Sequence, residues 1–241
     1  MSERERPRRI GMIVPSSNTC LEPMTYRMLG ERDDVTVHST RIPVTRIALD
    51  SDSDNQFDVE GMCRAAELLA TADVDVIAWN GTSGSWVGPE HDHDIATVIT
   101  SATGVPATTS TLAYLDAFER FNIRSVGLLT PYTRDVNQQV GTQYGKQGIR
   151  VVADRALGLS DNESFARVTP EELLPPSREL LKEVPDALVY LCTNLYGAHI
   201  VQTVEAESAV PVLDSVAVTL WKCLAIAGAP LVDKRWGRLL S

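Results

Sequence analysis

The sequence lacks several features that would each point to a particular class of protein. Its 241 residues contain four cysteines and no CxxC pair, which argues against a disulfide framework or a zinc site and for a reducing compartment. No apolar run approaches the roughly 18 residues that a membrane-spanning helix needs. The charged stretch at residues 1–9 lacks the apolar core of a secretory signal. We therefore expect a cytoplasmic protein with no membrane partner.

Positive charge is scarce as well. Lys and Arg number 22 against 32 Asp and Glu, so the formal net charge is -10. A nucleic-acid surface needs a basic stripe, and this composition argues against such a partner. An anionic ligand would have to be held by local groups and not by the overall field of the protein.

Short apolar runs alternate with segments of helical periodicity along the whole chain. This strict alternation is typical of parallel sheets covered by helices, and it predicts an α/β fold. The strands are predicted at residues 9–15, 35–42, 74–79, 125–129, 149–153 and 187–191, and the clearest helices at 57–72, 133–146 and 215–227. The polar stretch at residues 50–55 is predicted to be a mobile surface loop.

The chain contains two copies of one half-domain. Three pairs of segments match in the same order: 11–15 with 127–131, 75–82 with 186–193, and 105–110 with 210–215. The spacing between the copies changes little from pair to pair, as loop-length changes between duplicated units would cause. We expect two similar lobes, each a parallel sheet flanked by helices, related by a pseudo-two-fold axis with the active site in the cleft between them. Their predicted extents are 1–110 plus 215–241 and 111–214.

Four predicted strand ends carry small polar residues and lead towards a helix: Pro15–Asn18, Gly81–Ser85, Pro131–Thr133 and Cys192–Asn194. Ligands of parallel α/β sheets bind beyond the carboxyl ends of the strands. Free backbone N–H groups at helix N-termini suit carboxylates, and they suit an enediolate still better because it gathers more negative charge. The alternative is that these residues only cap helices, which is their most frequent role.

Cys192 differs from the other cysteines because it lies at a strand end inside the duplicated pattern, where the first copy has Gly81. The pseudo-two-fold would place the two positions on opposite sides of the cleft. Only one side then holds a thiol. We expect Cys192 at a helix N-terminus with a lowered thiol pKa, and we expect Cys20, Cys63 and Cys223 to be buried apolar residues.

The segment His91–Asp94 contains metal-ligand residue types, but side chains two apart on a helix diverge. We interpret it as a solvated helix start and predict no metal site. His199 has no partner at useful spacing and is interpreted as structural. A Ser-His-Asp hydrolase is disfavoured because the chain lacks a G-x-S-x-G nucleophile elbow.

From about Arg9 to Gly228, the chain resembles the Asp/Glu racemase superfamily, in the branch of maleate cis–trans isomerase and arylmalonate decarboxylase. In that resemblance Cys192 matches the second of two active-site cysteines, and Gly81 takes the place of the first. Gly81, followed by Thr82 and Ser83, is similar to the decarboxylases, in which one cysteine protonates an enediolate formed by loss of CO2.

Other segments are similar to the maleate isomerases, namely residues 15–19, 38–41 and 160–162. The resemblance to the maleate isomerases implies that Pro15 lines the substrate site. It also implies that Asn18, Asn162 and Tyr132 bind the substrate carboxylates. It also implies that the enzyme needs no cofactor, and the frequent dimers of the superfamily suggest a homo-oligomer. Pocket size is expected to depend on the loop at residues 41–55.

The residues themselves favour one reaction. Racemisation by two bases needs a proton acceptor on each face, and Gly81 offers none. The isomerases of the family use both cysteines, whereas decarboxylation needs an anion-stabilising pocket and one proton donor. We therefore predict a cofactor-independent, arylmalonate-type decarboxylase acting on a small carboxylic or dicarboxylic acid. Cys192 would donate the proton, and the enediolate would be held by Thr82, Ser83, Tyr132 and the Thr193 amide. The alternatives are a maleate isomerase, an Asp/Glu-type racemase, and a non-catalytic protein that binds a small acid.

Overall fold

The computed structural model describes residues 6–47, 49 and 59–241. Two parallel sheets of four strands form the fold, one from each half of the chain, and helices flank both sheets. The predicted α/β fold with two similar lobes is confirmed. None of the helices within these residue ranges has the length and apolar character needed to cross a membrane.

The first sheet is built from the first half of the chain. In chain order this half forms β1 (Arg8–Pro15), α1 (Leu21–Leu29), β2 (Val35–Ile42), α2 (Val59–Ala70), β3 (Val76–Trp79), α3 (Gly84–Val87), α4 (Pro89–Thr103), β4 (Ala107–Thr109) and α5 (Ser110–Arg120). The strand order in the sheet is β2–β1–β3–β4, and every pair is parallel.

The second half repeats this order. It forms β5 (Ser125–Thr130), α6 (Arg134–Lys146), β6 (Arg150–Ala156), α7 (Asn162–Phe165), α8 (Pro170–Leu181), β7 (Ala187–Tyr190), α9 (Val201–Ser208), β8 (Val212–Asp214) and α10 (Ser215–Ala227), with short 3₁₀ helices at Tyr196–Ile200, Lys234–Trp236 and Arg238–Leu240. The strand order is β6–β5–β7–β8, again all parallel. Matched strand by strand, the two sheets have the same topology.

The duplication extends to packing detail in the central strands. A Cβ atom placed on Gly11 of β1 would lie 3.3 Å from the Leu69 side chain of α2, and one on Gly127 of β5 would lie 3.3 Å from Leu180 of α8. Each glycine therefore allows a helix to approach its strand closely. The match of residues 11–15 with residues 127–131 in the sequence therefore reflects the same close packing of a helix on a strand in both lobes.

Two helices connect the lobes. Tyr114 of α5 donates a hydrogen bond of 2.7 Å to the carbonyl of Tyr190 at the end of β7, while α10 packs on β1, β3 and α5. Thr219 of α10 donates a hydrogen bond of 2.8 Å to the Ser110 hydroxyl. The lobe boundaries at residues 110 and 215 stay a prediction, which the position of α10 against the first sheet supports.

The predicted elements differ from the observed ones mainly at their ends. The strand predicted at 149–153 runs from Arg150 to Ala156, because β6 pairs with β5 past an irregularity between Val126 and Gly127. The helix predicted at 57–72 is observed from Val59 to Ala70. Its first two predicted residues, and the loop predicted at 50–55, lie outside the described residues.

Candidate active site

Side chains that follow the central strands of both sheets enclose a small cavity of about 20 Å³, which is room for about one water molecule. Most of the residues predicted for the site line it. The full lining consists of Pro15, Val44, Ile47, Trp79, Gly81, Thr82, Ser83, Trp86, Tyr132, Asn162, Cys192 and Thr193. The structure thus brings together segments from the ends of β1, β3, β5 and β7, as expected for a parallel α/β fold.

Cys192 lies just after β7 and is 3% exposed. Its backbone amide donates to the Ser215 hydroxyl at 2.9 Å, and the Asn194 amide donates to its sulfur at 3.3 Å. All four cysteines of the chain are described, and Cys192 is the one that lines the cavity. The cavity therefore contains one thiol.

The expected lowering of the Cys192 pKa is wrong. Burial raises the pKa of this thiol to about 12, although the Asn194 amide and the Tyr132 hydroxyl partly oppose the shift. No helix begins at Cys192, since the 3₁₀ helix starts only at Tyr196. Without a helix dipole to offset desolvation, the thiol stays protonated at neutral pH.

Tyr132 connects the two lobes inside the cavity. Its hydroxyl oxygen lies 2.7 Å from the Thr82 hydroxyl oxygen, and its influence on the Cys192 thiol lowers the pKa of that group. The ring is held edge-on by Trp86 and Phe165, with ring centroids 5.2 and 5.5 Å away. Burial raises the Tyr132 pKa well above its usual range. The phenol therefore remains a neutral donor.

Ser83 presents a hydroxyl to the same cavity. The side chain is 1% exposed, and no described residue hydrogen-bonds its oxygen. Buried hydroxyls are nearly always hydrogen-bonded in folded proteins. An unsatisfied one on a cavity wall indicates a place where a ligand can bind.

The Gly81 position is covered by an aromatic side chain. A Cβ atom on Gly81 would lie 2.3 Å from Cε2 of Trp79 and 2.5 Å from its Nε1 atom. Trp79 ends β3 and is fully buried. The space that a first cysteine would need is thus occupied by an indole. The sequence analysis did not single out Trp79, although the two-residue period of a strand puts it on the same side as Gly81.

Polar residues from both halves of the chain form a network beside the cavity. The Asn18 amide donates to the Thr193 hydroxyl at 3.1 Å, and its Oδ1 accepts from the Cys20 and Leu21 backbone amides. Thr193 in turn donates to the Asn80 carbonyl at 2.9 Å. Asn18 therefore accepts from the backbone amides at the start of α1, and its predicted role in substrate binding stays a prediction.

Asn162 enters the cavity from the second lobe. Its side-chain amide donates to the Ser17 hydroxyl at 2.8 Å, and its backbone carbonyl accepts from the Asn194 side chain at 2.6 Å. The sequence analysis included Asn194 in a polar strand end but gave it no role of its own, because that role depends on contacts between distant segments. Its Oδ1 accepts from the backbone amides of Thr19 and Cys20.

The segment His91–Asp94 lies in the first two turns of α4. The interpretation as a solvated helix start is wrong for Asp92, which is fully buried, whereas His93 and Asp94 are exposed. Burial raises the Asp92 pKa to about 7, and the hydroxyls of Thr109 and Thr111 partly offset this shift. Within the described part of the chain, no three His, Cys, Asp or Glu side chains are grouped to hold a metal ion.

A model of the arylmalonate decarboxylase family matches residues 10–240. The chain belongs to this family. The resemblance inferred from the residues around Gly81, Tyr132 and Cys192 is therefore confirmed.

Relatives of this arylmalonate decarboxylase family member include two kinds of enzyme. Maleate isomerase from Alcaligenes faecalis is 26% identical over 252 residues, which cover 97% of this chain and 96% of that protein. Arylmalonate decarboxylase from Bordetella bronchiseptica is 27% identical over 173 residues, or 70% of this chain and 72% of that protein.

Solved structures agree with this assignment. The maleate isomerase Iso from Pseudomonas putida S16 has a TM-score of 0.88 at 26% identity and covers 97% of this chain and 98% of its own. An arylmalonate decarboxylase structure has a TM-score of 0.79 at 24% identity, covers 96% of this chain and 98% of its own, and shows the shared fold. The protein is an enzyme, a lyase or an isomerase of this branch, and the non-catalytic alternative is set aside.

Proposed function

We propose that this enzyme decarboxylates a small dicarboxylic acid of the malonate type through an enediolate that Cys192 protonates from one face. One observation carries the proposal. The cavity contains a single thiol, on the second-lobe side, and the Trp79 indole covers Gly81 on the first-lobe side. A reaction that needs one proton donor fits this arrangement better than one that needs two.

The steps follow from the chemistry of a 1,3-diacid. The bond between C2 and one carboxylate breaks, CO2 leaves, and the electron pair stays on C2 as an enediolate of the remaining carboxylate. The hydroxyls of Thr82, Ser83 and Tyr132 would donate to the enediolate oxygens, where charge grows during the reaction. Cys192 would then transfer its proton to C2, and the resulting thiolate would recover a proton from water.

The electrostatics of the cavity support Cys192 as the acid. Its raised pKa, about 12, keeps the proton on sulfur before the enediolate forms. The Tyr132 hydroxyl, which lowers the pKa of this thiol, can stabilise the thiolate that appears after transfer. Ser83, whose hydroxyl has no partner among the described residues, supplies a further donor free to bind an oxyanion.

Maleate isomerisation is the second candidate. Asn162 lies in the cavity wall and is bonded to Ser17, and both residues belong to segments that resemble the isomerases. In this case the sulfur of Cys192 would add to the double bond, and rotation about the resulting single bond would precede its loss. A racemase is less consistent with the cavity, because it requires a base on the Gly81 side.

Three substrates separate these reactions. The purified protein is incubated in D2O with methylmalonate, maleate or aspartate, while CO2 release, alkene geometry and optical rotation are followed. We expect CO2 from the malonate and propionate that carries one deuterium at C2 in a single configuration. Conversion of maleate to fumarate without any CO2 from malonates, together with a succinyl adduct on Cys192 by mass spectrometry, would contradict the proposal. Cytoplasmic location and a homo-oligomeric state stay predictions.

A further inference from the structure

The Trp79 side chain, and not the backbone conformation, explains why position 81 is a glycine. Gly81 is not among the glycines with positive φ, so its conformation does not require glycine. Space does require it, because a Cβ atom there would lie within 2.5 Å of three atoms of the Trp79 indole. Real Cβ atoms do not approach other heavy atoms so closely.

Trp79 has little freedom to move away. The residue is fully buried, and its backbone pairs with Ile13 of β1 on one side and Thr109 of β4 on the other. Protein interiors are packed densely, so moving an indole requires its neighbours to move as well. Its side chain is also part of the lining of the cavity that contains Cys192.

We propose that Trp79 is the specificity-determining residue of this site: its indole is the first-lobe wall and excludes both a bulky C2 substituent and a side chain at position 81. The indole occupies the space beside Gly81 on the first-lobe side of the cavity, so a bulky C2 group directed at this wall would meet it. The preferred malonates then carry a hydrogen or a methyl group at C2. The size preference deepens the proposed function and rests on it. The packing claim, that the indole excludes a side chain at position 81, does not depend on the proposed function.

The packing claim is tested by stability alone. Thermal unfolding is measured for Gly81→Ala in the wild-type and in the Trp79→Leu background. We expect Gly81→Ala to lower Tm in the wild type and to have a much smaller effect in the Trp79→Leu background, where the indole is gone. Gly145→Ala on α6 is the control, since nothing lies within 4 Å of a Cβ atom there. An equal loss in both backgrounds would overturn the proposal.

The size claim is tested by binding. Calorimetry with methylmalonate and phenylmalonate is performed on Trp79→Leu, on wild type and on the control Trp236→Leu, a buried tryptophan outside the cavity. Cys192→Ala in each background prevents turnover. We expect Trp79→Leu to improve phenylmalonate binding relative to methylmalonate at least about 10-fold, equivalent to roughly 1.4 kcal/mol, and Trp236→Leu to leave the ratio unchanged.

These experiments distinguish failure of the proposed function from failure of the proposal about Trp79. If neither malonate binds or releases CO2, the proposed function fails, and the stability test of Trp79 still decides the packing claim. If wild type binds phenylmalonate as well as methylmalonate and Trp79→Leu does not change the ratio, the size claim is wrong. A racemase activity of Trp79→Leu/Gly81→Cys, absent from Gly81→Cys alone, would further support the indole as the barrier on that face.

Discussion

The hydroxyl oxygens of Thr82 and Tyr132 lie 2.7 Å apart, although Thr82 follows a strand of the first sheet and Tyr132 a strand of the second. Tyr132 and Cys192 line the same cavity, and the Tyr132 hydroxyl lowers the pKa of the Cys192 thiol. A chain of three polar groups therefore crosses between the lobes through the cavity. Its geometry depends on how the two lobes pack together.

Replacing either hydroxyl should slow the chemical step. In Tyr132→Phe and Thr82→Val we expect kcat to fall about 100- to 1,000-fold with little change in KM, because the lost donor acts on charge that grows in the transition state. The double variant should lose less than the product of the single losses, since the two hydroxyls act as a unit. Steady-state kinetics with the active malonate measures both effects.

Tyr144→Phe is the matched control for that experiment. Its hydroxyl is buried at 3.5 Å from the Ser85 hydroxyl, outside the cavity lining. We expect a change in kcat of less than about threefold. A rise in KM with constant kcat in Tyr132→Phe would instead assign this hydroxyl to binding of the ground state.

Removal of the active-site thiol should abolish turnover and preserve the fold. Cys192→Ala is expected to lose about 100- to 10,000-fold in kcat, because general acid catalysis makes a contribution of this size. Cys223→Ala on α10 is the control, since burial raises the pKa of that thiol to about 12 as well. Near-normal activity of Cys192→Ala with an unchanged circular dichroism spectrum would remove Cys192 from the mechanism.

The thiol of Cys192 should resist alkylation. Only the thiolate reacts with iodoacetamide, and a pKa of about 12 keeps it scarce in the folded protein below pH 10. We expect its labelling rate to rise continuously from pH 7 to 10. An ordinary thiol has a pKa near 8.5, and its labelling rate would level off above that pH. Peptide mass spectrometry follows the labelling, with the partly exposed Cys63 as the internal reference. Rapid labelling of Cys192 at pH 7 would show that the thiolate is available after all.

Asp92 should make folding stability decline with rising pH. Its pKa is raised from 3.8 to about 7, so the folded state binds the proton more tightly than the unfolded state does. The contribution of Asp92 is most favourable below pH 4, falls between pH 4 and 7, and does not recover above pH 7. Asp92→Asn removes this dependence, and its free energy of unfolding relative to wild type should be higher at pH 8 than at pH 5.

Urea unfolding at the two pH values gives the comparison. Gln138→Ala, which replaces an exposed side chain without a titratable group, is the control, and its difference from wild type should not depend on pH. Asp214 is also buried with a pKa of about 7, so the wild type and both variants share its contribution. If Asp92→Asn shifts stability equally at both pH values, the buried carboxylate is already ionised at pH 5.

Asn194 should hold the two lobes together. Its side chain accepts hydrogen bonds of 2.9 and 3.1 Å from the amides of Thr19 and Cys20 and donates one of 2.6 Å to the Asn162 carbonyl. Asn194→Ala removes the partner of the Thr19 amide and of the Asn162 backbone carbonyl, while the Cys20 amide keeps Asn18 as its acceptor, so we expect a loss of about 1–3 kcal/mol in the free energy of unfolding. Chemical denaturation measures it, with the exposed Gln138→Ala as control. A loss below about 0.5 kcal/mol would mean that water replaces the amide.

The sequence by itself determined the parts that depend on local pattern and on duplication. Apolar runs and helical periods predicted the parallel α/β elements, because each strand or helix must bury its own apolar face. The repeat aligned Gly81 with Cys192. The polar strand ends predicted Thr82, Ser83 and Tyr132 at one site, because the carboxyl ends of parallel strands meet along one sheet edge.

Only the tertiary structure decided the chemistry of individual side chains. The Cys192 pKa moves up and not down because other segments of the chain exclude water from the thiol, and the same desolvation explains Asp92. Asn18 finds its partner Thr193 in the other half of the chain. Burial and contacts between distant segments arise only when the two lobes pack, and no local pattern in the sequence encodes them.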